Sequence, residues 1–168
     1  WRKLHLGVDP TTGFISAHTL RENNVDDGSQ LEPVVDQIEE QVDEASGDGA
    51  YDMEKCWDYL EENDIIGIIP PRENAVYWAD EKGNILDHRR NKILEQIDTV
   101  GLKQWKKNSG YHKRSLSETA MFRFKMIFGP MLYSRKLQTQ KNEAALKIKL
   151  INIMTAQGMP DSNKVEVA

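Results

Sequence analysis

Hydrophobic residues recur along this chain with two different periods, and these periods predict the order of strands and helices. Near the N-terminus, Leu4, Leu6 and Val8 alternate with other residues, "DPTTG" supplies turn residues, and "FISAHTL" resumes an extended pattern. Turn chemistry between two alternating runs is typical of a β-hairpin. Residues 2–20 are therefore predicted to form one.

The next segments switch between helical and extended patterns. Apolar residues at helical spacing predict helices over residues 31–42 and 53–60, and Asp52 is the expected N-cap of the second helix. Short strands are predicted at the small residues of "ASGDGAY" and at "IIGII", which ends at Pro70.

The second half of the chain is predicted to be mainly helical. Its segments are an irregular stretch (72–84), a polar helix (86–99), a lysine-rich loop (101–110) and two helices (115–128 and 138–157). Trp105, in the loop, is expected to be a half-buried surface aromatic, with stacking on an unpaired base as the alternative. The order ββαβαβ followed by helices predicts one α/β domain, a mixed sheet flanked by helices.

Composition places the chain among ordinary globular proteins. It has 168 residues, of which 39% are hydrophobic, enough for one domain with a core. The longest apolar run, "IIGII", is too short to cross a membrane, so no membrane partner is expected. A single cysteine, Cys56, excludes an internal disulfide and favours a reducing compartment such as the cytoplasm.

Charge is distributed unevenly between the two halves. Residues 1–70 hold 4 lysines and arginines against 17 aspartates and glutamates, whereas residues 71–168 hold 18 against 10. Between residues 101 and 150 the count is 12 basic against 2 acidic. This asymmetry favours a face that binds a polyanion, and two oppositely charged solvated faces are the alternative.

Glu118 is the only acid between Gln104 and Asn142. At helical spacing it shares one exposed stripe with Arg114 and Lys125, and Tyr111 joins them if the helix extends back. One interpretation is a capping box, in which Glu118 accepts from the Ser115 N–H. The other is a metal-ligating carboxylate among cations that hold phosphates.

A phosphodiester-cleaving site needs a second carboxylate, and the best candidate is Asp48. It lies near the carboxyl end of a predicted strand between two glycines, where ligands of α/β sheets collect. An ordinary turn residue is the alternative interpretation.

The spacing Y-x2-R-x3-E-x6-K, from Tyr111 to Lys125, resembles the YREK signature of bacterial insertion-sequence transposases with a DDE catalytic site. The phrases "WRKLHLGVD", "GDGAYD", "IIPPREN", "RSLSETAMFRFK" and "GMPDS" resemble the same group, so the likeness extends over nearly the whole chain.

This resemblance implies a ribonuclease H-like fold and DNA transposition by phosphoryl transfer between two Mg²⁺ (or Mn²⁺) ions. It implies that Asp48 and Glu118 are catalytic metal ligands, and that Tyr111, Arg114 and Lys125 contact DNA. The implied partners are double-stranded DNA, both terminal inverted repeats and target, and a second copy in a homodimer. The implied location is the bacterial cytoplasm, at the nucleoid.

The chain departs from the family pattern at its start. The family's first catalytic aspartate lies on a strand upstream of "WRKLHLGVD", and Asp9 is not expected to replace it because "VDPTTG" is a hairpin turn. We therefore expect a partial transposase domain that lacks its first strand and is inactive alone, with an exposed sheet edge or a groove.

Three other functions remain open at this point. The first is a non-enzymatic remnant that binds DNA through residues 101–150 or forms mixed dimers with an intact transposase. The second is another ribonuclease H-like nuclease, such as a structure-specific endonuclease. The third, a protein-interaction module, leaves the spacing from Tyr111 to Lys125 unexplained.

Overall fold

The computed structural model describes residues 2–158. In this part of the chain, two strands come first and two more lie between the early helices, an α/β arrangement. The strands are β1 (Arg2–Val8), β2 (Ile15–Glu22), β3 (Glu44–Ser46) and β4 (Ile66–Ile68). The helices are α1 (Leu31–Val35), α2 (Glu54–Glu62), α3 (Arg89–Val100), α4 (Leu102–Asn108), α5 (Ser115–Phe128) and α6 (Leu137–Ala156). Trp1 and the "GMPDS" segment after Gly158 lie outside the described residues.

The predicted N-terminal hairpin is confirmed. β1 pairs antiparallel with β2, and Leu4 lies opposite Leu20. Asp9 shapes the turn, because its carboxylate accepts hydrogen bonds from the Thr11 N–H (2.8 Å) and the Thr12 hydroxyl (2.6 Å). One face of the hairpin packs on α5 and α6 and forms the first hydrophobic core, with Ile15, Ala120, Phe124, Ile148 and Ile151 buried at its centre.

A second core forms where α2 packs on the parallel pair β3 and β4. Trp57, Leu60, Ile65 and Ile69 are buried at its centre. A Cβ on Gly67 of β4 would lie 2.7 Å from Trp57 Cζ3 and 2.9 Å from Leu60 Cδ1. Only glycine therefore lets α2 approach β4 this closely.

The single cysteine lies on α2 beside the second core. Cys56 is buried and its thiol donates a hydrogen bond to the Gly28 carbonyl (3.2 Å). Burial raises the pKa of the Cys56 thiol to about 11.

The four strands form two separate pairs rather than the single mixed sheet predicted from the sequence. Between β1 and β3 lies a cavity of about 1170 Å³, the inter-sheet cleft, whose walls come mainly from β1, α1, β3 and α5. Because this cleft separates β1 from β3, their backbone groups do not form a shared ladder. The predicted α/β class is confirmed, whereas the prediction of one mixed sheet is wrong.

The helix predicted over residues 31–42 is wrong in length, because α1 ends at Val35. Asp36, Glu39 and Glu40 follow its last turn. Negative charge at the C-terminal end of a helix opposes the helix dipole, which explains why the apolar spacing does not extend the helix.

The lysine-rich loop predicted over residues 101–110 is also wrong, because α4 spans Leu102–Asn108. Lysine and glutamine are good helix formers, and Trp105 anchors the helix with only 3% of its surface exposed. The indole lies beside the Tyr111 ring, with 6.2 Å between centroids. Neither expectation for Trp105 holds, since it is neither half-buried nor free to stack on a base.

Asp52 does not cap α2, whose N-cap is Met53 without a side-chain hydrogen bond. Its carboxylate instead forms a buried ion pair with Arg90 of α3 (2.8 Å) and accepts from the Trp57 indole N–H (3.0 Å). It also accepts from the Arg72 N–H (3.0 Å), which holds the segment after Pro70-Pro71 against α2. The hydrogen bonds to Asp52 outweigh its burial and lower the pKa of the carboxyl.

Candidate metal and nucleic-acid site

Asp48 lies just beyond the carboxyl end of β3, as the sequence predicted. Its carboxylate accepts a hydrogen bond from the Ala50 N–H (3.0 Å) and so caps the 3₁₀ turn Gly49–Tyr51. A Cβ on Gly47 would lie 2.9 Å from Tyr51 Cδ2, so the glycine before Asp48 lets this turn fold back on itself. About half of the Asp48 side chain remains exposed, at 48%.

Glu118 lies in the first turn of α5 and is the more exposed of the two carboxylates, at 62%. The capping-box interpretation is not realised, since the helix has no side-chain cap and the Ser115 hydroxyl donates to the His112 carbonyl (2.8 Å). Glu118 accepts instead from Arg114, at 2.7 Å. Glu118 also lines the inter-sheet cleft.

Arg114 bridges the two carboxylates. One guanidinium nitrogen lies 2.7 Å from Glu118 Oε1, and the other lies 3.5 Å from Asp48 Oδ2. Although partial burial opposes it, the hydrogen bond to Glu118 and the charge of Asp48 raise the pKa of Arg114. The guanidinium is a permanent cation between two acids that are remote in sequence.

Tyr111 lies in the 3₁₀ turn Tyr111–Arg114 that precedes α5. Its ring faces two cations, with Lys106 Nζ at 5.1 Å and Arg114 Cζ at 5.9 Å from the centroid. Burial raises the pKa of Tyr111, so its hydroxyl keeps its proton and can donate to an oxyanion.

Lys125 lies on α5 two turns after Glu118 and is exposed to solvent. It lines the same inter-sheet cleft as Asp48, Arg114 and Glu118. The structure thus brings four of the five predicted site residues to one cleft, with Tyr111 packed behind Arg114.

Two interactions that support the candidate site were not predicted from the sequence. Lys113, in the 3₁₀ turn before α5, lies 3.5 Å from Glu44 of β3, a second ion pair beside that of Arg114 with Asp48. His5 of β1 lies within 3.1 Å of the Tyr51 hydroxyl and accepts from Arg21 (2.9 Å). The alternation of His5 with Leu4 and Leu6 was a signal that its side chain faces away from the first core.

Burial and the neighbouring Arg21 lower the pKa of His5. Since Nε2 accepts from the Arg21 guanidinium, the proton lies on Nδ1, which donates to the Tyr51 oxygen. Burial also raises the pKa of Tyr51 to about 12. This neutral pair ties β1 to the turn that Asp48 caps.

The oxygen ligands that Asp48 and Glu118 offer are of the kind that a hard divalent cation prefers. Magnesium is held by one or two carboxylates together with water and substrate phosphates, and Asp48 and Glu118 supply two. Within residues 2–158, no group of three or more histidine, cysteine, aspartate or glutamate side chains is arranged to hold a metal. Asp9 does not supply a third, because its carboxylate is engaged in the hairpin turn.

A family model described as the transposase DDE domain matches residues 1–153, which is nearly the entire chain. The chain belongs to the DDE transposase domain family. No solved structure matches this chain. Membership supports a transposase function and implies DNA as the partner of this domain.

Within residues 2–158, this transposase domain contains no candidate membrane span. None of the helices in the described part of the chain is long and apolar enough to cross a bilayer.

Proposed function

We propose that this domain serves insertion-sequence transposition of the YREK-signature type, by Mg²⁺- or Mn²⁺-dependent cleavage and strand transfer of DNA phosphodiesters. The observation that carries the proposal is the Arg114 bridge. It brings Asp48 and Glu118 together in the most basic segment of the chain. The ribonuclease H-like fold is part of the same proposal.

Asp48 and Glu118 are proposed to hold the divalent cation. When bound, such a cation activates an attacking hydroxyl and stabilises the leaving oxygen of a phosphodiester. The two carboxylates come from rigid supports, the capped turn after β3 and the first turn of α5. The backbone at each carboxylate is therefore held by regular structure, and Arg114 contacts both side chains.

The neighbouring residues are proposed to bind and orient the DNA backbone. The Arg114 guanidinium presents further N–H donors to a phosphate, and the Tyr111 hydroxyl can donate a neutral hydrogen bond. Lys125 adds a point charge at the same cleft. All three act on the backbone and leave sequence recognition to other residues.

The purified 168-residue chain is expected to bind DNA but not to complete strand transfer. Asp48 and Glu118 are two proposed metal ligands, whereas the proposed chemistry uses three, and no cluster of three or more potential ligands is arranged to hold a metal within residues 2–158. Strand transfer by this chain that disappears in Glu118→Gln would contradict this expectation.

Manganese binding tests the metal proposal directly. Paramagnetic Mn²⁺ titrated into the chain should bind wild type, and Glu118→Gln should weaken the binding at least about tenfold, since a coordinating charge is lost. Glu95→Gln, at an exposed glutamate of α3, is the matched control and should bind as wild type does. Equal binding by all three proteins would overturn the assignment.

The second candidate is a DNA-binding module without catalysis, which acts by occupying transposon ends or by forming mixed dimers. The Arg114 bridge favours it, because the guanidinium already offsets part of the negative charge that would hold a metal cation. Under this alternative, DNA binding persists in a chelator and survives Asp48→Asn. Under the metal-dependent proposal, binding to cleavage-site DNA strengthens when Mg²⁺ is added.

A further inference from the structure

The helix α6 carries large apolar residues on two opposite faces. Ile148 and Ile151 are buried in the first core. Four residues on the other face remain 39–60% exposed and are called the outer α6 face: Leu146, Leu150, Ile153 and Met154. A surface helix normally has one apolar stripe and a polar opposite face, whereas a helix that is apolar all round is normally buried. The outer α6 face therefore has the composition of a covered surface.

The spacing of these residues suits a second helix. At 3.6 residues per turn, the four side chains fall within an arc of about 100°. Leu146, Leu150 and Ile153 are separated by four and then three residues, which is the spacing of a coiled-coil seam. A helix laid along α6 can place its own apolar side chains between those of this row.

The connection between α5 and α6, residues 129–136, is called the strap. It is held by the carboxylate of Glu143, which accepts hydrogen bonds from the N–H groups of Tyr133 (3.0 Å) and Ser134 (2.8 Å). Glu143 is itself paired with Lys147 at 2.8 Å, and these two side chains are only 15% and 11% exposed. A buried ion pair thus fixes the backbone of the strap on α6.

The strap extends the outer α6 face. Glu143 and Lys147, which hold it, lie three residues before and one residue after Leu146, so the strap lies beside the start of the apolar row. Although its backbone is held, the strap leaves Met131 66% and Tyr133 80% exposed. Two further large side chains are thereby presented to solvent on a fixed support.

The charge around this surface has one sign. Residues 119–158 contain seven lysines and arginines but a single acid, Glu143. That acid is engaged with Lys147 and with the strap, as described above. The segment therefore offers positive charge to a partner.

Three of these cations border the apolar row. On the helix, Lys149 is exposed and lies within about 60° of both Leu146 and Ile153. In the strap, Arg135 and Lys136 are also exposed. An apolar row bordered by cations is complementary to an apolar row bordered by carboxylates.

We propose that the outer α6 face and the strap form a docking surface for an acidic amphipathic helix of a partner protein. Its apolar side chains pack along the row from Leu146 to Ile153, and its carboxylates lie opposite Lys149 and the strap cations. A second copy of this surface fits less well, because it would bring like charges together. Duplex DNA also fits less well, since an apolar row offers no hydrogen bond to phosphates.

This surface is separate from the proposed metal and DNA site. The residues that form the outer α6 face and the strap lie outside the set that lines the inter-sheet cleft. The docking proposal therefore does not depend on the proposed function, and each can fail without the other.

A designed helical peptide tests the docking proposal. The probe has three heptads with leucine at a and d, glutamate at e and g, alanine and glutamine elsewhere, and a fluorescein label. Its glutamates repel one another and keep the probe from pairing with itself. Binding to the purified 168-residue chain is followed by fluorescence anisotropy without metal or DNA. We expect saturable binding that weakens as salt is added.

Two leucine variants locate the binding surface. Leu150→Asp should weaken binding of the probe about tenfold, because it places a carboxylate in the apolar row opposite an acidic peptide. Leu102→Asp is the matched control, since Leu102 lies on α4 and is similarly exposed, at 44% against 39% for Leu150. It should stay within about twofold of wild type.

A charge reversal keeps the test valid if Leu150→Asp fails to fold. Lys149→Glu changes an exposed residue and leaves the apolar row intact. It should weaken binding of the acidic probe about fivefold, because an attraction is replaced by a repulsion. Lys103→Glu, at an exposed lysine of α4, makes the same change in net charge and should stay within about twofold.

Four outcomes would overturn the proposal. The first is absence of saturable binding, and the second is equal binding of a probe in which lysine replaces every glutamate. The third is a dimer of the chain in sedimentation that Leu150→Asp dissociates, which would assign the surface to a second copy. The fourth is displacement of the bound probe by duplex DNA, which would assign the surface to DNA.

Discussion

At the scale of single residues, Arg114 supplies the positive charge between Asp48 and Glu118 that a bound cation would otherwise supply. Asp48 and Glu118 belong to segments that the chain brings together only on folding, and two facing carboxylates repel one another. The single positive charge of the guanidinium offsets this repulsion, and its planar set of N–H donors lies at the mouth of the cleft. Its position explains how an acidic pair can persist inside a basic segment.

Arg114→Ala and Lys125→Ala test the proposed phosphate contacts. Each should weaken binding to a transposon-end duplex, and each should lower the slope of log K against log salt concentration by about one, because one phosphate contact is lost. Lys92→Ala removes a lysine of α3 that pairs with Asp87 and should leave the slope unchanged. Binding isotherms at several salt concentrations measure this slope, and an unchanged slope in both variants would argue against the contacts.

The buried pair of Asp52 with Arg90 is expected to matter for stability rather than for chemistry. Their side chains are 2% and 5% exposed, so Arg90→Met leaves an uncompensated buried carboxylate and should lower the free energy of unfolding by about 3–5 kcal/mol. Arg89→Met breaks a pair with the 94% exposed Asp64 and should cost about 1 kcal/mol or less. Urea unfolding of both variants gives the comparison, and equal losses would contradict it.

At the scale of elements, glycine sets how closely α2 approaches the parallel pair. Gly67→Ala inserts a methyl group into the contact with Trp57 and Leu60, and should lower the free energy of unfolding by about 1–3 kcal/mol. Gly49→Ala is the matched control, since its nearest outside neighbour, the Pro70 carbonyl oxygen, lies at an ordinary 3.5 Å. Chemical denaturation measures both, and a neutral Gly67→Ala would show that α2 can shift away.

The elements that the sequence predicted well are those whose pattern agrees with their packing. The alternation in the hairpin and the long apolar stripes of α5 and α6 both correspond to buried faces. Elements whose length depends on charge, or whose formation depends on one buried side chain, were predicted poorly. α1 stops before a run of acids, and α4 forms around the buried Trp105, although its other residues look like a solvated loop.

The candidate site was predicted in part for the same reason. Local spacing placed Arg114, Glu118 and Lys125 together, and the rule for strand ends directed attention to Asp48. The contacts of His5 with Tyr51 and of Asp52 with Arg90 join distant segments, so local periodicity carries no information about them.

At the scale of the whole molecule, the inter-sheet cleft lies between the hairpin and β3, and ion pairs and hydrogen bonds join its two sides. The His5–Tyr51 hydrogen bond is one of them. Because burial lowers the pKa of His5, the folded state resists protonating this residue. Acidification should therefore loosen the attachment between the two halves.

The sign of the pH dependence follows from this lowered pKa. The contribution of His5 to stability is present in full above the unfolded-state pKa of about 6.5, and it is lost as pH falls through the lower folded-state value. His5→Gln should therefore lose less stability than wild type between about pH 7.5 and 5.5. His112→Gln, at an exposed histidine, should keep the wild-type loss, and urea midpoints at both pH values measure the difference.

The buried thiol on α2 makes one half of the molecule separately observable. With a pKa of about 11 and its sulfur packed against the Gly28 carbonyl, Cys56 reacts with an alkylating reagent only when α2 opens. Because the chain contains no other cysteine, the rate of labelling measures how often α2 opens beside the second core. The opening rate of that half of the molecule can then be measured in each variant through its own cysteine, without an engineered probe.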